Sequence, residues 1–308
     1  MPIQQYIRKS RLIVANSGGQ GLDLSSLHVK FSIKKSDAET PNAAEILIHN
    51  LSDNTATQIK NEFTTVVLQA GYEGNIGTIF SGSIKQVRIG RDNGTDTTVT
   101  IYAADGDQAY IATTLNTTLA AGATQSEQMA VAMGPMAQYG VQQGFIADTG
   151  TERLPRGKVM YGMSRDYLRT SAQSTGTTWS IQDGKVQVVA KTGVLPGTAV
   201  VLSPASGLIG TPEQTDNGII IQCLLNPMIR VAGLVRLDHA TVSEAVAKAS
   251  TNKPATAESP VAAVAADGIY RVLVVEYQGD TRGQDWYSTL TCLAADASAP
   301  PGKEVSPQ

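Results

Sequence analysis

The sequence has few of the residues that build metal and redox centres. Its 308 residues include 2 cysteines and 3 histidines. His28, His49 and His239 are far apart and follow neither HxH nor HxxxH spacing, so no metal site is predicted. Cys223 and Cys292 each fall in an apolar strand candidate, which favours two buried thiols; a disulfide between adjacent strands is the alternative. The sequence therefore predicts neither a bound metal nor a cofactor.

Charge and long apolar runs are also scarce. Charged residues make up 17% of the chain and the formal net charge is -3, so a basic face for tight duplex binding is not expected. No apolar run approaches the ~20 residues that a helix needs to span a bilayer. The first residues, 1–14, lack the apolar core of a signal peptide. We expect a chain without a membrane segment that is made and folded in a cytoplasm.

Motifs for a nucleophile or a phosphate are missing. A serine hydrolase needs G-x-S-x-G, and the nearest approach, residues 162–166, lacks the second glycine. Ser164 is better explained as the cap of a helix. The glycine-rich segment Asn16 to Gly21 matches neither dinucleotide nor P-loop spacing and is expected to be a turn.

Two carboxylate pairs are candidates for acid–base work on a glycosidic bond. They are Asp105 with Asp107, and Asp280 with Asp285. Both pairs lie in glycine-rich turns, where aspartate is favoured because its side chain bonds nearby backbone groups. We therefore predict no catalytic residue, no cofactor-binding residue and no metal ligand, and a chain that is not an enzyme.

Glycine, threonine and valine are abundant, and period-two alternation is clear. Val29, Phe31 and Ile33 share one face of a strand, with polar residues between them. Other strand candidates are Arg11–Val14, Ala44–Leu51, Val66–Tyr72, Thr78–Ile89, Thr97–Ala103, Thr177–Ile181, Val186–Lys191, Ile219–Leu225, Leu234–Leu237, Gly268–Tyr277 and Trp286–Ala294. The residues predicted to lie in β cores are Val29, Phe31, Ile33, Ile219, Ile221, Val272, Val274, Trp286 and Leu290.

Helices are predicted at three places. Ser52 is expected to cap a helix over residues 53–62. Thr124 and Glu127 form a capping-box pattern that begins a helix through residue 138, which Pro135 should bend or shorten. Ser164 is expected to cap the third helix, residues 165–174. The inward-facing residues are predicted to be Met129, Met133, Met136, Ala137, Leu168 and Ala172.

A short internal sequence repeat, called the echo below, suggests how the chain is divided into domains. TVTIYAAD at residues 98–105 and TLTCLAAD at residues 289–296 share phase and ending. The fold class predicted is mainly β, with two β-barrel domains and a small α+β domain between them. The predicted domains are residues 1–105, 106–203 and 204–296, the last with an extended insertion at 239–267, followed by a proline-rich tail at 297–308.

Longer motifs resemble a known family. G-x-I-G-T-P-E-x-T-x-x-G-I begins at Gly207, C-L-L-N-P-x-I-R at Cys223, and G-x-Y-R-V-x-x-V-E-x-x-G-D-T-R-G-x-D-W-Y at Gly268. The residues and the order of these motifs resemble those of the baseplate hub proteins of contractile-tailed bacteriophages. That family includes the T-even central hub and the protein D hubs of Mu-like phages. The resemblance covers most of the chain.

The resemblance implies a structural role and a set of partners. It implies a homotrimer in which two tail-tube-like barrels per chain make a pseudo-sixfold ring around a DNA channel. Such a ring would join a sixfold tail tube to a threefold central spike, with tape-measure and wedge proteins nearby, in a virion baseplate assembled in the host cytoplasm. DNA would pass the lumen without sequence-specific binding. The alternatives are a tail-associated cell-wall hydrolase, a carbohydrate-binding β-protein, and the hub of a tailocin-type injection machine.

Overall fold

The computed structural model describes residues 6–16, 18–92, 96–215, 218–238 and 268–295, and these residues are mainly β-structure. In the first part of the chain the strands are β1 (Arg8–Ala15), β2 (Gly21–Asp23), β3 (His28–Ser36), β4 (Ala43–His49), β5 (Thr65–Tyr72), β6 (Asn75–Asp92) and β7 (Asp96–Ala104). Those of the middle are β8 (Thr114–Leu119), β9 (Gln142–Ile146), β10 (Lys158–Met163), β11 (Thr177–Gln182) and β12 (Lys185–Ala190). The last strands are β13 (Val200–Leu202), β14 (Leu208–Thr215), β15 (Gly218–Leu224), β16 (Leu234–Leu237), β17 (Ile269–Asp280) and β18 (Trp286–Ala294).

The described helices are short. They are α1 (Asp53–Glu62), α2 (Asp107–Ala112), α3 (Gln125–Met133) and α4 (Ser164–Ser174), with 3-10 turns at Gly134–Tyr139 and Pro204–Ser206. In the described part of the chain, no helix is both long and apolar enough to cross a membrane.

One large, almost entirely antiparallel sheet contains thirteen of these strands. Eleven lie side by side in the order β14-β15-β18-β17-β3-β4-β7-β6-β5-β1-β2, and β16 and β13 extend from β17. Its strands alternate buried and exposed residues, so one face carries a single large core. All nine residues predicted to lie in β cores are buried. The prediction of a mainly β chain is confirmed.

The first and last parts of the chain meet where β17 pairs with β3. Val274 lies opposite Ser36 and Asp280 opposite Lys30. Beneath this junction Trp286 packs edge-on against Phe31, with ring centroids 5.5 Å apart, and donates its indole N–H to the Gly71 carbonyl at 3.2 Å. The two parts of the chain therefore share one core rather than two.

The strand order follows one pattern twice. In the first part the neighbours run β3-β4-β7-β6-β5-β1, and in the last part β14-β15-β18-β17-β16-β13, with the same chain order in each. The echo strands β7 and β18 therefore occupy corresponding places. Each of the hairpins β6–β7 and β17–β18 also contains a bulge. The last strands differ, because β1 is antiparallel to β5 whereas β13 is parallel to β16.

The middle of the chain has a second core of its own. Two small sheets, β10-β8 and β11-β12-β9, surround it together with α2, α3 and α4. Met129, Met133 and Met136 are buried there as predicted, but Ala137 is exposed. The helix ends at Met133 and continues as a 3-10 turn, since Pro135 cannot donate to an α-helical ladder.

Two of the predicted helix caps are present and one is wrong. Ser52 accepts a hydrogen bond from the Thr55 N–H, and Thr124 and Glu127 form the capping box. Ser164 is instead the first residue of α4, and Met163 is the N-cap without a side-chain bond. The Ser164 hydroxyl is buried, and within the described part of the chain it has no hydrogen-bond partner.

Several elements gave no usable signal in the sequence. The unpredicted strands are β2, β8, β9, β10, β13 and β14, and α2 was also missed. β8 and β10 pair across a long intervening segment, and β9 pairs in parallel with β12. The predicted insertion at 239–267 and the predicted tail at 297–308 lie outside the described residues.

Candidate functional site

The fold brings together two histidines that the sequence keeps apart. The rings of His28 and His49, on neighbouring strands β3 and β4, stack with centroids 4.4 Å apart. His28 Nε2 lies 2.7 Å from Asp280 Oδ1 across the β17–β3 junction. His239 lies outside the described residues. No three histidine, cysteine, aspartate or glutamate side chains are grouped to hold a metal in the part of the chain that the structure describes.

The carboxylate of Asp280 serves both its own turn and this junction. It accepts hydrogen bonds from the backbone N–H groups of Arg282 and Gly283, as predicted for a turn aspartate. Burial alone would raise the pKa of Asp280, but these bonds and the contact with His28 hold it below its usual value. Asp280 therefore ties the last hairpin to β3.

Asp105 differs from the prediction. Its carboxylate bonds no local turn; it accepts the N–H groups of Asp183 and Gly184, in the β11–β12 turn of the middle region. Burial raises the pKa of Asp105 to about 6, although the Gly184 N–H and the Lys35 ammonium oppose this. Asp107 instead meets Lys85 at 3.0 Å. The two carboxylates of this pair therefore anchor separate contacts.

Further polar contacts hold the middle region against the large sheet. Asn42 donates to the Ile181 carbonyl at 2.9 Å, and Gln182 donates to the Ser36 carbonyl at 2.7 Å. Lys35 meets Asp183 at 2.7 Å. Together with Asp105, these side chains fix the β11–β12 hairpin against the end of β3. They account for buried polar groups that the sequence gave no reason to expect.

The two cysteines are core residues. Both are free and buried in neighbouring strands, but Cys292 lies opposite Ile219, four residues from Cys223. Burial raises the pKa of the Cys223 thiol to about 12 and also raises that of Cys292. The disulfide alternative is therefore excluded in this structure.

The exposed face of the large sheet carries balanced charge. Lys34 lies 3.0 Å from Glu276, and the guanidinium of Arg88 lies over the ring of Tyr102, which donates a hydrogen bond to Glu45. A shallow groove on this face is lined by lysine, aspartate, glutamate and small residues. Among the described residues, this groove therefore carries charges of both signs.

One surface feature is a strand edge that pairs with no strand of the described residues. Residues 85–92 of β6 pair with β7, but β5 reaches only residues 75–83 on the other side. Ile89 in this stretch is 47% exposed. Open strand edges are sites of pairing with another chain. The geometry therefore favours an assembly surface as the functional site.

A family comparison agrees with an assembly role. A family model described as "Baseplate hub gp41" matches residues 12–247. This chain belongs to the baseplate hub gp41 family. The resemblance read from the sequence motifs is confirmed, and the family is one of structural components of the phage tail. No match was found among curated protein sequences.

Solved structures share the fold at very low identity. The 43 kDa tail protein of prophage MuSo2 from Shewanella oneidensis has a TM-score of 0.59 at 9% identity, covering 96% of this chain and 100% of that chain. A tail protein from Neisseria meningitidis has a TM-score of 0.60 at 10% identity, with 93% and 96% covered.

A third structure is the Escherichia coli c3393 protein. It is described as a component of the type VI secretion system with similarity to the T4 tail proteins gp27 and gp5. Its TM-score is 0.55 at 8% identity, with 91% of this chain and 77% of that chain covered. At such identities these likenesses establish a tail-protein fold for this baseplate hub family member.

Proposed function

We propose that this baseplate hub chain forms a homotrimeric, pseudo-sixfold ring that joins the sixfold tail tube to the threefold central spike of a contractile tail. The observation that supports this most is the strand pattern that occurs twice in the chain. Three copies of a chain with two similar halves present six similar units around an axis. Such a ring matches sixfold symmetry on one side and threefold symmetry on the other.

The domain organisation forms part of the same proposal. Residues 1–105 and 204–296 are the two tube-like barrels, and residues 106–203 are the intervening α+β domain. The separate core of the middle region supports setting it apart from the large sheet, and the β17–β3 pairing is then the contact between neighbouring barrels. β13 precedes the proposed boundary at residue 204 but belongs to the large sheet. The ring assembles in the host cytoplasm and has the tail tube, spike, tape-measure and wedge proteins as neighbours.

The exposed face of the sheet is proposed to line the DNA channel. Its balanced charges, with Lys34 paired to Glu276, and the formal net charge of -3 support passage of DNA without strong binding. A duplex would meet neither a continuous basic stripe nor base-reading side chains on this face.

Assembly with and without the spike tests the proposal. Mass photometry of the purified chain, alone and mixed with its spike protein, is expected to show particles containing three copies in at least one condition. A monomer in both, with no added mass on mixing, would refute the ring. A similar ring in a tailocin or another injection machine would give the same masses, so the neighbouring genes are the test that separates these settings.

A further inference from the structure

Two histidines lie side by side next to the β17–β3 junction. His28 on β3 is directly opposite His49 on β4. Their rings are nearly parallel, with an interplanar angle of 16° and centroids 4.4 Å apart. His49 is buried and His28 is half-buried. At this separation the charge on one ring acts strongly on the other, so the two histidines bind protons as a coupled pair.

Asp280 determines which nitrogen of His28 carries a proton. Burial opposes the ionisation of Asp280, but the backbone N–H groups of Arg282 and Gly283 and the contact with His28 hold its pKa below the usual value. An ionised carboxylate only accepts hydrogen bonds, so His28 Nε2, at 2.7 Å from Asp280 Oδ1, is the donor. An added proton goes to the other ring nitrogen, Nδ1, and the resulting imidazolium stays paired with Asp280.

His49 has no such acceptor among the described residues. Its Nε2 atom is buried there without a hydrogen-bond partner. Burial, followed by the charges of His28 and Lys30, lowers the pKa of His49, whereas Asp92 and Asp96 act in the opposite direction. A protonated His49 would be a buried cation stacked on a second imidazolium. The folded chain therefore opposes the binding of a second proton by this pair.

The same residues join the last hairpin to β3. Asp280 lies opposite Lys30 at the end of the β17–β3 pairing, and its Oδ2 atom is 3.6 Å from the Lys30 ammonium. Beside this pair, the Val29 N–H donates to Thr281 Oγ1 and the Thr281 N–H donates to the Val29 carbonyl, each at 3.0 Å. A displacement of His28 would therefore disturb Asp280 and the end of the β17–β3 pairing.

We propose that the stacked pair His28–His49 is a pH-sensitive switch of the β17–β3 junction, which one added proton preserves and a second added proton loosens. With one proton, the imidazolium of His28 stays paired with Asp280. With two, like charges face each other at stacking distance and the rings separate. This inference concerns contacts within one chain, so it goes beyond the proposed ring and does not depend on it.

The sign of the pH effect follows from His49. Its pKa in the folded chain is below 6.5, so a chain with an open junction binds a proton there more readily than a chain with a closed one. The contribution of the pair to stability is therefore complete above pH 6.5 and is lost as pH falls through the folded pKa of His49. Asp105 contributes in the opposite direction below about pH 6, so the switch is best measured at the junction itself.

Hydrogen exchange of the intact chain tests the junction directly. Protection of backbone N–H groups in His28–Ser36 and Ile269–Asp280 is compared at about pH 8 and about pH 5, with correction for the intrinsic exchange rates. In the wild type this protection is expected to fall about tenfold at the lower pH, because like charges at stacking distance repel each other. Protection in β5, which belongs to the same sheet, should not change.

A matched variant removes the second proton. His49→Gln keeps a polar side chain but cannot become charged in this pH range, so it should abolish the loss of protection at the junction. Circular dichroism at about pH 8 verifies that the variant folds. If His49→Gln is too unstable to study, the wild-type comparison and a histidine titration decide the question.

NMR titration of the histidine ring protons tests the coupling. His49 is expected to titrate below 6.5 in the wild type, and its pKa should rise in His28→Gln, which removes the neighbouring charge. A stacked pair with a merely structural role would leave the pKa of His49 unchanged in that variant.

The outcomes separate this inference from the ring. A loss of protection confined to the junction, absent in His49→Gln, together with the rise of the His49 pKa in His28→Gln, supports the switch. Equal protection at the two pH values, an equal loss in His49→Gln, or a His49 that titrates independently of His28 overturns it. Each of these results leaves the proposed trimer standing, and a chain that stays monomeric with its spike would overturn only the trimer.

Discussion

The hairpins β6–β7 and β17–β18 occupy corresponding places in the two runs of strands, but their surroundings differ. Trp286 and Leu290 of the second hairpin are buried, and the outer edge of β17 is paired with β3. Near the end of the first hairpin, Ile89 is 47% exposed, and no strand of the described residues pairs with the outer edge there. The difference shows that the burial of a strand depends on its neighbours as well as on its own apolar pattern.

Truncation of one apolar residue in each hairpin should give the largest difference. Trp286→Ala is expected to lower the free energy of unfolding by about 3–5 kcal/mol, because it leaves a cavity and removes the indole N–H bond to Gly71. Ile89→Ala in the unassembled chain is expected to change it by less than about 0.5 kcal/mol. Urea denaturation of both variants measures this, and similar losses would show that the two hairpins are equally covered.

A glycine in each hairpin gives a second comparison. A Cβ at Gly279 would overlap the Phe31 ring, whereas one at Gly90 would lie 3.4 Å from the Thr98 hydroxyl. Gly279→Ala is therefore expected to destabilise the fold by about 1–3 kcal/mol through overpacking. Gly90→Ala should be close to neutral. Equal thermal shifts for the two variants would contradict the close packing inferred at the β17–β3 junction.

The stability of the fold should depend on pH through Asp105, which follows the first echo strand. The pKa of Asp105 rises from 3.8 to about 6 on folding, mainly through burial, so the folded chain holds a proton over this range that the unfolded chain releases. The free energy of unfolding should therefore fall as pH rises from 3.8 towards about 6. In Asp105→Asn this component is lost. Denaturation curves measured across this pH range test the prediction. Parallel dependences of the free energy of unfolding on pH for the wild type and Asp105→Asn would argue against a contribution from the buried carboxylate.

The last prediction concerns catalysis, for which no effect is expected. Neither hairpin is predicted to contribute catalytic residues. Asp280 bonds its own turn and His28, and Asp105 bonds another hairpin. Zymography on peptidoglycan should show no lysis by the purified chain beside an active muramidase control. Clear lysis that a single Asp or Glu substitution abolishes would restore the cell-wall hydrolase alternative.

The sequence predicted local structure best where neighbouring residues decide it. The bounds of α1 and of β18, and the capping box at Thr124, agree with the structure. Ser164 shows the limit of such patterns. A serine before a helical run can be its cap or its first residue, and the backbone direction on leaving β10 decided between them.

From the sequence, only the general kind of functional site could be predicted, and not the residues that form it. The motifs identified a baseplate hub, and the low content of cysteine and histidine argued against a metal centre or a catalytic one. The contacts that organise the surface join residues distant in the chain, such as His28 with Asp280 and Asp105 with Gly184. No local spacing encodes such contacts, and turn propensity alone gave the wrong role for Asp105.

By itself the sequence determined the phases of the strands that it predicted, both ends of α1, the capping box of α3 and the family, because these depend on side-chain alternation, on caps within one turn and on long motifs. Only the tertiary structure decided that β17 pairs with β3, that β9 runs parallel to β12 and that residues 85–92 pair with β7 but not with β5. Those choices depend on closing long loops and on the shapes of distant surfaces. The same alternating strand can satisfy several partners until the rest of the chain excludes all but one.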